Sequence, residues 1–164
     1  MQGPSAPASA KIADARFGVY GDTLYPDATF TLRLSYGAVR GWDERGTPVP
    51  ITTSFAGMFD RATGQDPFDL PKGFAAARDR IDMAAPFDFV TTNDIIGGNS
   101  GSPVIARDGS VIGAAFDGNI HMLGGNYGFD PVLNRTVAVS TAAIEQALER
   151  IYPAPTLVRE LNGK

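Results

Sequence analysis

The chain has no cysteine and only one histidine, His121, in 164 residues. The lack of thiols excludes disulfide staples, thiolate catalysis and cysteine-based zinc sites together. Cations are scarce as well, with 14 Lys and Arg against 18 Asp and Glu, a formal net charge of −4 and a pI near 4.9. Such a balance offers no basic surface to a phosphate backbone, so nucleic acid is not an expected partner. No block of like charge is long enough for an interaction tail. No run approaches the roughly twenty apolar residues of a membrane helix, so no membrane partner is expected. The opening MQGPSAPASAKIADARFG also lacks the apolar core of a signal peptide.

What is present describes one ordinary domain, since 43% of the residues are hydrophobic and the length suffices for a core. Nineteen glycines and twelve prolines fall between short apolar runs, which favours a mostly β fold with many turns. Residues 1–16, small and proline-containing, read as a linker, as expected of a domain cut from a longer chain; 17–152 read as the domain and 153–164 as a tail. The pattern turns strand-like from about Phe17, and Phe30, Leu32, Leu34 and Tyr36 alternate with Thr31, Arg33 and Ser35. Residues 41–73 look irregular, with a surface loop over 60–72, and Gly73 to Ile81 suits a short helix. Phe87 to Thr92 is a strand pattern. Pro103 to Ala106 and Val111 to Phe116 form a hairpin around Asp108-Gly109, a pair suited to positive φ. A last strand spans Val137 to Val139. Ser140 or Thr141 then caps a helix with Ile144, Ala147, Leu148 and Ile151 on one face, ended by Pro153. The expected architecture is an antiparallel β-barrel or sandwich closed by a C-terminal helix.

The segment Gly97-Gly98-Asn99-Ser100-Gly101-Ser102-Pro103-Val104 concentrates the chemistry. A serine nucleophile needs a sharp turn that presents its hydroxyl, with main-chain N–H groups converging on the oxygen that becomes negative. Gly98, Ser100 and Gly101 fit that requirement, the N–H groups of Gly98 and Ser100 being the donors. A phosphate-binding loop would need a lysine and a following helix, and Pro103 with its strand excludes it. An α/β-hydrolase elbow needs G-x-S-x-G, which Gly98-Asn99-Ser100-Gly101-Ser102 does not supply. A plain glycine-rich loop stands as the alternative.

Gly98-Asn99-Ser100-Gly101-Ser102-Pro103 resembles the nucleophile motif of chymotrypsin-fold serine peptidases, with Asn99 where many members have aspartate. Tyr25-Pro26-Asp27-Ala28, the run Thr31 to Gly37, Thr92-Asn93-Asp94-Ile95 and Phe116-Asp117-Gly118-Asn119 extend the likeness to the bacterial dipeptidyl-peptidase 7/11 family, peptidase family S46, from about residue 17 to 152. The resemblance implies a trypsin-like β-barrel, the second of two, in an exopeptidase that takes dipeptides from peptide N-termini in the periplasm or at the cell surface, often as a homodimer and without a cofactor. Ser100 is then the nucleophile and oligopeptides the substrate. The histidine and aspartate of the triad belong to a first barrel absent from this chain, so the chain alone is expected to be nearly inactive. Phe116, Asp117, Gly118 and Asn119 are the implied substrate-binding residues, a glycine at 118 implying an apolar pocket for the residue before the cleaved bond.

Other readings are more modest. His121, 21 residues after Ser100, is expected to be a loop or barrel-edge residue and not the base. Gly118 is equally readable as a hairpin residue. Asp94 is expected to accept hydrogen bonds from the glycine loop, Asn99 to help hold the turn, and Asp117 either to face the pocket mouth or to cap the hairpin. Trp42 beside Tyr36 reads as a packing pair. Asp60, Asp66 and Asp69 lack the spacing of a calcium loop, and no metal is expected. The competing functional class is a non-catalytic barrel that binds a peptide strand at a sheet edge.

Overall fold

The computed structural model describes residues 6–21, 32–125 and 128–163. The chain forms two compact units, Met1–Arg33 and Leu34–Lys164. In the first, Ala6–Tyr20 is a helix, α1. This corrects the expected linker over 1–16 and the strand character from Phe17. Ala6, Ala8, Ala10, Ala13 and Ala15 supply the highest helix propensity, and Pro7 lies in the first turn, where its missing N–H goes unneeded.

The second unit opens with an extended segment and a hairpin of β1 (Trp42–Glu44) and β2 (Thr47–Val49). Its two-residue turn, Arg45-Gly46, has φ of +54° and +87°, the doubly positive pattern that matches strand twist. Then come β3 (Thr52–Ser54), α2 (Phe55–Arg61), α3 (Lys72–Ala77), β4 (Pro86–Thr91), β5 (Pro103–Ile105), β6 (Val111–Gly118) and β7 (Thr136–Ser140). Helix α4 (Thr141–Gln146) continues as a wider turn to Ile151, and α5 covers Pro155–Leu161. Residues 41–73 are therefore not irregular, and the expected tail contains a helix whose Val158 is buried.

Strands β3-β4-β7-β6-β5 make one antiparallel sheet in that order, open at β3 and β5. A mostly antiparallel sheet is as expected; a closed barrel is not what this sheet forms. The neighbour of β4 on one side comes in two pieces. Residues 38–40 pair with its far end, where Val39 bridges Thr91 and the Thr92 N–H donates to the Ala38 carbonyl at 2.9 Å, while β3 pairs with the near end. The β1–β2 hairpin is the excursion between them. Gly37 enters this edge where a side chain would lie 2.7 Å from the Asn93 nitrogen.

The run 32–36 is a second correction. Leu32, Leu34 and Tyr36 are fully or nearly fully exposed and belong to no strand. Alternation specifies an apolar edge of extended chain but not what covers it. Tyr25 to Ala28, Phe30 and Thr31 lie outside the described residues. The main core lies between α2, α3, α4 and the sheet, with Phe55, Phe59, Ala77, Ile81, Ala85 and Ala143 buried together. The Phe55 and Phe87 rings meet edge-on at 4.9 Å. Ser140 caps α4 as expected, its hydroxyl accepting from the Ala143 N–H at 3.0 Å while donating to the Pro86 carbonyl at 2.6 Å.

Candidate active site

The glycine-serine segment folds as two successive β-turns. The Asn99 N–H donates to the Ile96 carbonyl at 3.2 Å, and the Ser102 N–H to the Asn99 carbonyl at 3.0 Å. The third residue of each turn is a glycine with positive φ, Gly98 at +100° and Gly101 at +84°. A type II turn demands such a backbone at that position, and a side chain resists it. The three-residue spacing of the glycines follows directly. Asn99 ties the first turn further, its Oδ1 accepting from the Ile96 N–H at 3.1 Å. Asn99 is thus an acceptor within this loop, and the Asp94 main-chain carbonyl accepts from the Ser35 hydroxyl at 2.8 Å.

Ser100 occupies the second position of the second turn and is exposed. Two bonds bind the turn to β6: the Gly101 N–H donates to the Ala115 carbonyl at 2.7 Å, and the Ala115 N–H to the Ser102 carbonyl at 2.9 Å. Opposite β7, Ala115 pairs with Ala138 and Asp117 with Val137, so Phe116 is the extra residue of a bulge. Its carbonyl faces the serine, and the Ser100 hydroxyl donates to it across a long 3.4 Å. Among the described residues the N–H groups of Gly98 and Ser100 donate to no protein acceptor. The corner therefore presents a hydroxyl in a weak contact beside two uncommitted donors.

The expected substrate-binding residues divide. Phe116 is about half exposed at the bulge. Asp117 is exposed, and its carboxylate accepts from the adjacent Gly118 N–H at 2.8 Å near the end of β6. Gly118 is packed against Met122: a Cβ there would meet the Met122 sulfur first, then its Cε at 2.6 Å and Cβ at 2.9 Å. Asn119 is held within the fold. Its amide nitrogen donates to the Leu133 carbonyl at 2.7 Å and its oxygen accepts from the Arg135 N–H at 3.1 Å, so it fastens two loops and has little left for a ligand.

His121 follows in the short turn Ile120–Gly124. Its Nε2 stands 2.7 Å from Glu44 Oε2 in β1, which also accepts from the Trp42 indole at 2.9 Å. Trp42 is thereby a hydrogen-bonding residue, and Tyr36 is nearly fully exposed, so the expected packing pair does not form. The His121 hydrogen bond, and then that of Trp42, hold the Glu44 carboxyl below its ordinary value. Sequence reasoning also missed Arg135, 3% exposed, whose guanidinium donates to the carbonyls of Arg40 at 2.9 Å, Gly41 at 2.8 Å and Asn134 at 2.6 Å. It anchors the loop before β7 to the break between residues 38–40 and β1.

The chain is similar to known proteins in sequence and in fold. The chain is 38% identical over 152 residues to dipeptidyl-peptidase 7 of Capnocytophaga gingivalis, covering 85% of this chain and 21% of that protein. Identity to the Asp/Glu-specific dipeptidyl-peptidase of Shewanella putrefaciens is 28% over 171 residues, 85% of this chain and 23% of that one. The chain thus spans about a fifth of the length of these relatives. The fold matches the crystal structure of Porphyromonas endodontalis DPP11 in complex with the dipeptide Arg-Glu, with a TM-score of 0.78 at 22% identity over 91% of this chain and 23% of the other. The family model for peptidase S46 matches residues 1–163. The chain belongs to the peptidase S46 family.

Proposed function

We propose that this chain carries the nucleophile and oxyanion site of a serine-type dipeptidyl-peptidase that releases dipeptides from free peptide N-termini. The observation that supports it is the double turn, with the Ser100 hydroxyl at an exposed corner and the Gly98 and Ser100 N–H groups uncommitted beside it. Ser100 Oγ attacks the carbonyl carbon of the bond after the second residue, passing its proton to a general base. The carbonyl oxygen, now negative, accepts from the two N–H groups. Collapse expels the shortened peptide as an amine that takes the proton from the base, and water then hydrolyses the dipeptidyl ester on Ser100.

The base is a histidine, oriented by an aspartate, from further chain of the full-length protein; His121 is engaged by Glu44 and is not given this role. The relatives extend far beyond the matched portion, which leaves room for such a barrel. The residue before the cleaved bond is apolar, because Gly118 brings no charge and stands beside Met122 and the half-exposed Phe116.

The test is hydrolysis of dipeptidyl reporter amides by the full-length protein. Activity falls at least ~10³-fold in Ser100→Ala and is lost on substrates with a blocked N-terminus. Equal activity in Ser100→Ala overturns the reading.

A further inference from the structure

We infer that the groove of about 670 Å³ between α2 and the β3–β4 pair is a second binding site, for a primary ammonium ion carried on a small apolar body. Gly57, Met58 and Arg61 line it from α2, at the three- and four-residue spacing of a single helix face. Phe87 and Asp88 line it from β4. Met58 and Phe87 also pack against the main core, so the apolar walls are held from behind. The groove shares no lining residue with the Ser100 corner: it lies toward the start of β4, and the double turn follows the end of that strand.

Asp88 decides what the groove takes. It is the one acid in the lining, and among the described residues its carboxylate accepts no hydrogen bond and joins no ion pair. Only its backbone is engaged, the N–H donating to Thr53 Oγ1 at 3.1 Å. Arg61, the other charge in the lining, is stacked over the Phe68 ring, 4.7 Å from its centroid. A carboxylate set among apolar groups without a partner costs stability, and a cation beside it removes that cost. An anion would meet the carboxylate's repulsion. A divalent metal needs more ligands than one acid supplies, and no metal-holding group of His, Asp or Glu occurs among the described residues. A primary ammonium brings three donors to the carboxylate while its carbon skeleton lies against Met58 and Phe87.

The experiment follows the ¹³C-methyl resonance of Met58 in the full-length protein at pH 7, identified by its loss in Met58→Leu. The probes are isopentylamine, its neutral counterpart isopentanol, the anion 4-methylpentanoate, and leucinamide. Isopentylamine shifts the resonance saturably, and the alcohol and the anion do not. Asp88→Asn weakens amine binding by about tenfold or more, the loss expected when a hydrogen bond to a charged group goes. Gly57→Leu abolishes it: a Cβ at Gly57 meets only the Ser54 hydroxyl, at 3.8 Å, so the longer side chain occupies the groove without displacing the fold. Leucinamide binding as tightly as isopentylamine assigns the site to the free N-terminus of amino acids and peptides; binding of isopentylamine alone assigns it to simple aliphatic amines. The inference is overturned by a Met58 methyl that does not respond to either amine, by an equal response to the alcohol or the anion, or by unchanged affinity in Asp88→Asn. The measurement involves no turnover, so its outcome is independent of the peptidase reading.

Discussion

Glu44 and His121, 77 positions apart in sequence, meet at 2.7 Å and join the β1–β2 hairpin to the turn that follows β6. The pair is partly exposed, so its worth depends on the charge of Glu44. Hydrogen bonding to His121 lowers the Glu44 pKa from its ordinary 4.5. A carboxyl depressed in the folded state stabilises the fold above its unfolded pKa, and that contribution is lost as pH falls through the folded value. In urea titrations Glu44→Gln is therefore less stable than wild type at pH 6, and the gap closes as pH drops below 4.5. A gap independent of pH would sink the assignment.

The double turn makes a sharper prediction from its three glycines. Gly98 and Gly101 have φ of +100° and +84°, whereas Gly97 is outside the positive-φ set and a Cβ on it meets nothing within 4 Å. Gly98→Ala and Gly101→Ala each force a side chain into the left-handed region and cost about 1–2 kcal/mol, while Gly97→Ala stays within ~0.5 kcal/mol. Chemical denaturation of the three variants checks the order. If Gly97→Ala is as damaging as the other two, the turn assignment is wrong.

Those glycines also mark how far the sequence could be read. Positive φ is a local demand met mainly by glycine, so Gly98, Gly101 and the hairpin residue Gly109 at +89° could be placed on turns from residue type alone. Ser140 was equally legible, because a cap is a bond to a residue three positions away. The β1–β2 hairpin was not: its strands are three residues each, too short to alternate, and its turn is Arg45-Gly46 in place of the usual Asn-Gly or Asp-Gly. Helix α1 was hidden because Pro7 and small residues read equally as linker. Within the site, Ser100 on its turn was legible. The Met122 contact on Gly118, the Glu44–His121 pair and the carbonyl cluster around Arg135 were not, since each joins segments whose approach only the fold decides.

A last prediction concerns Asp88, on β4 and away from the double turn in sequence. Burial pushes its carboxyl from 3.8 up to about 6. With Arg61, Thr53 and Met58 it lines a groove of about 670 Å³ between β3 and α2. Because the group is harder to ionise when folded, the unfolded chain releases its proton first, near 3.8, and the folded state is destabilised as pH rises from there to about 6. Above that range the penalty is constant, at about 2 kcal/mol after allowance for partial exposure. Asp88→Asn keeps the shape and removes the charge. The variant should be more stable than wild type at pH 7.5, with the advantage shrinking through the window and vanishing near pH 4. Stability curves for the two proteins across that range decide it. A wild type that gains stability relative to Asp88→Asn as pH rises would mean the ionised carboxylate is well partnered, and the groove would then be a polar site and not a desolvating one.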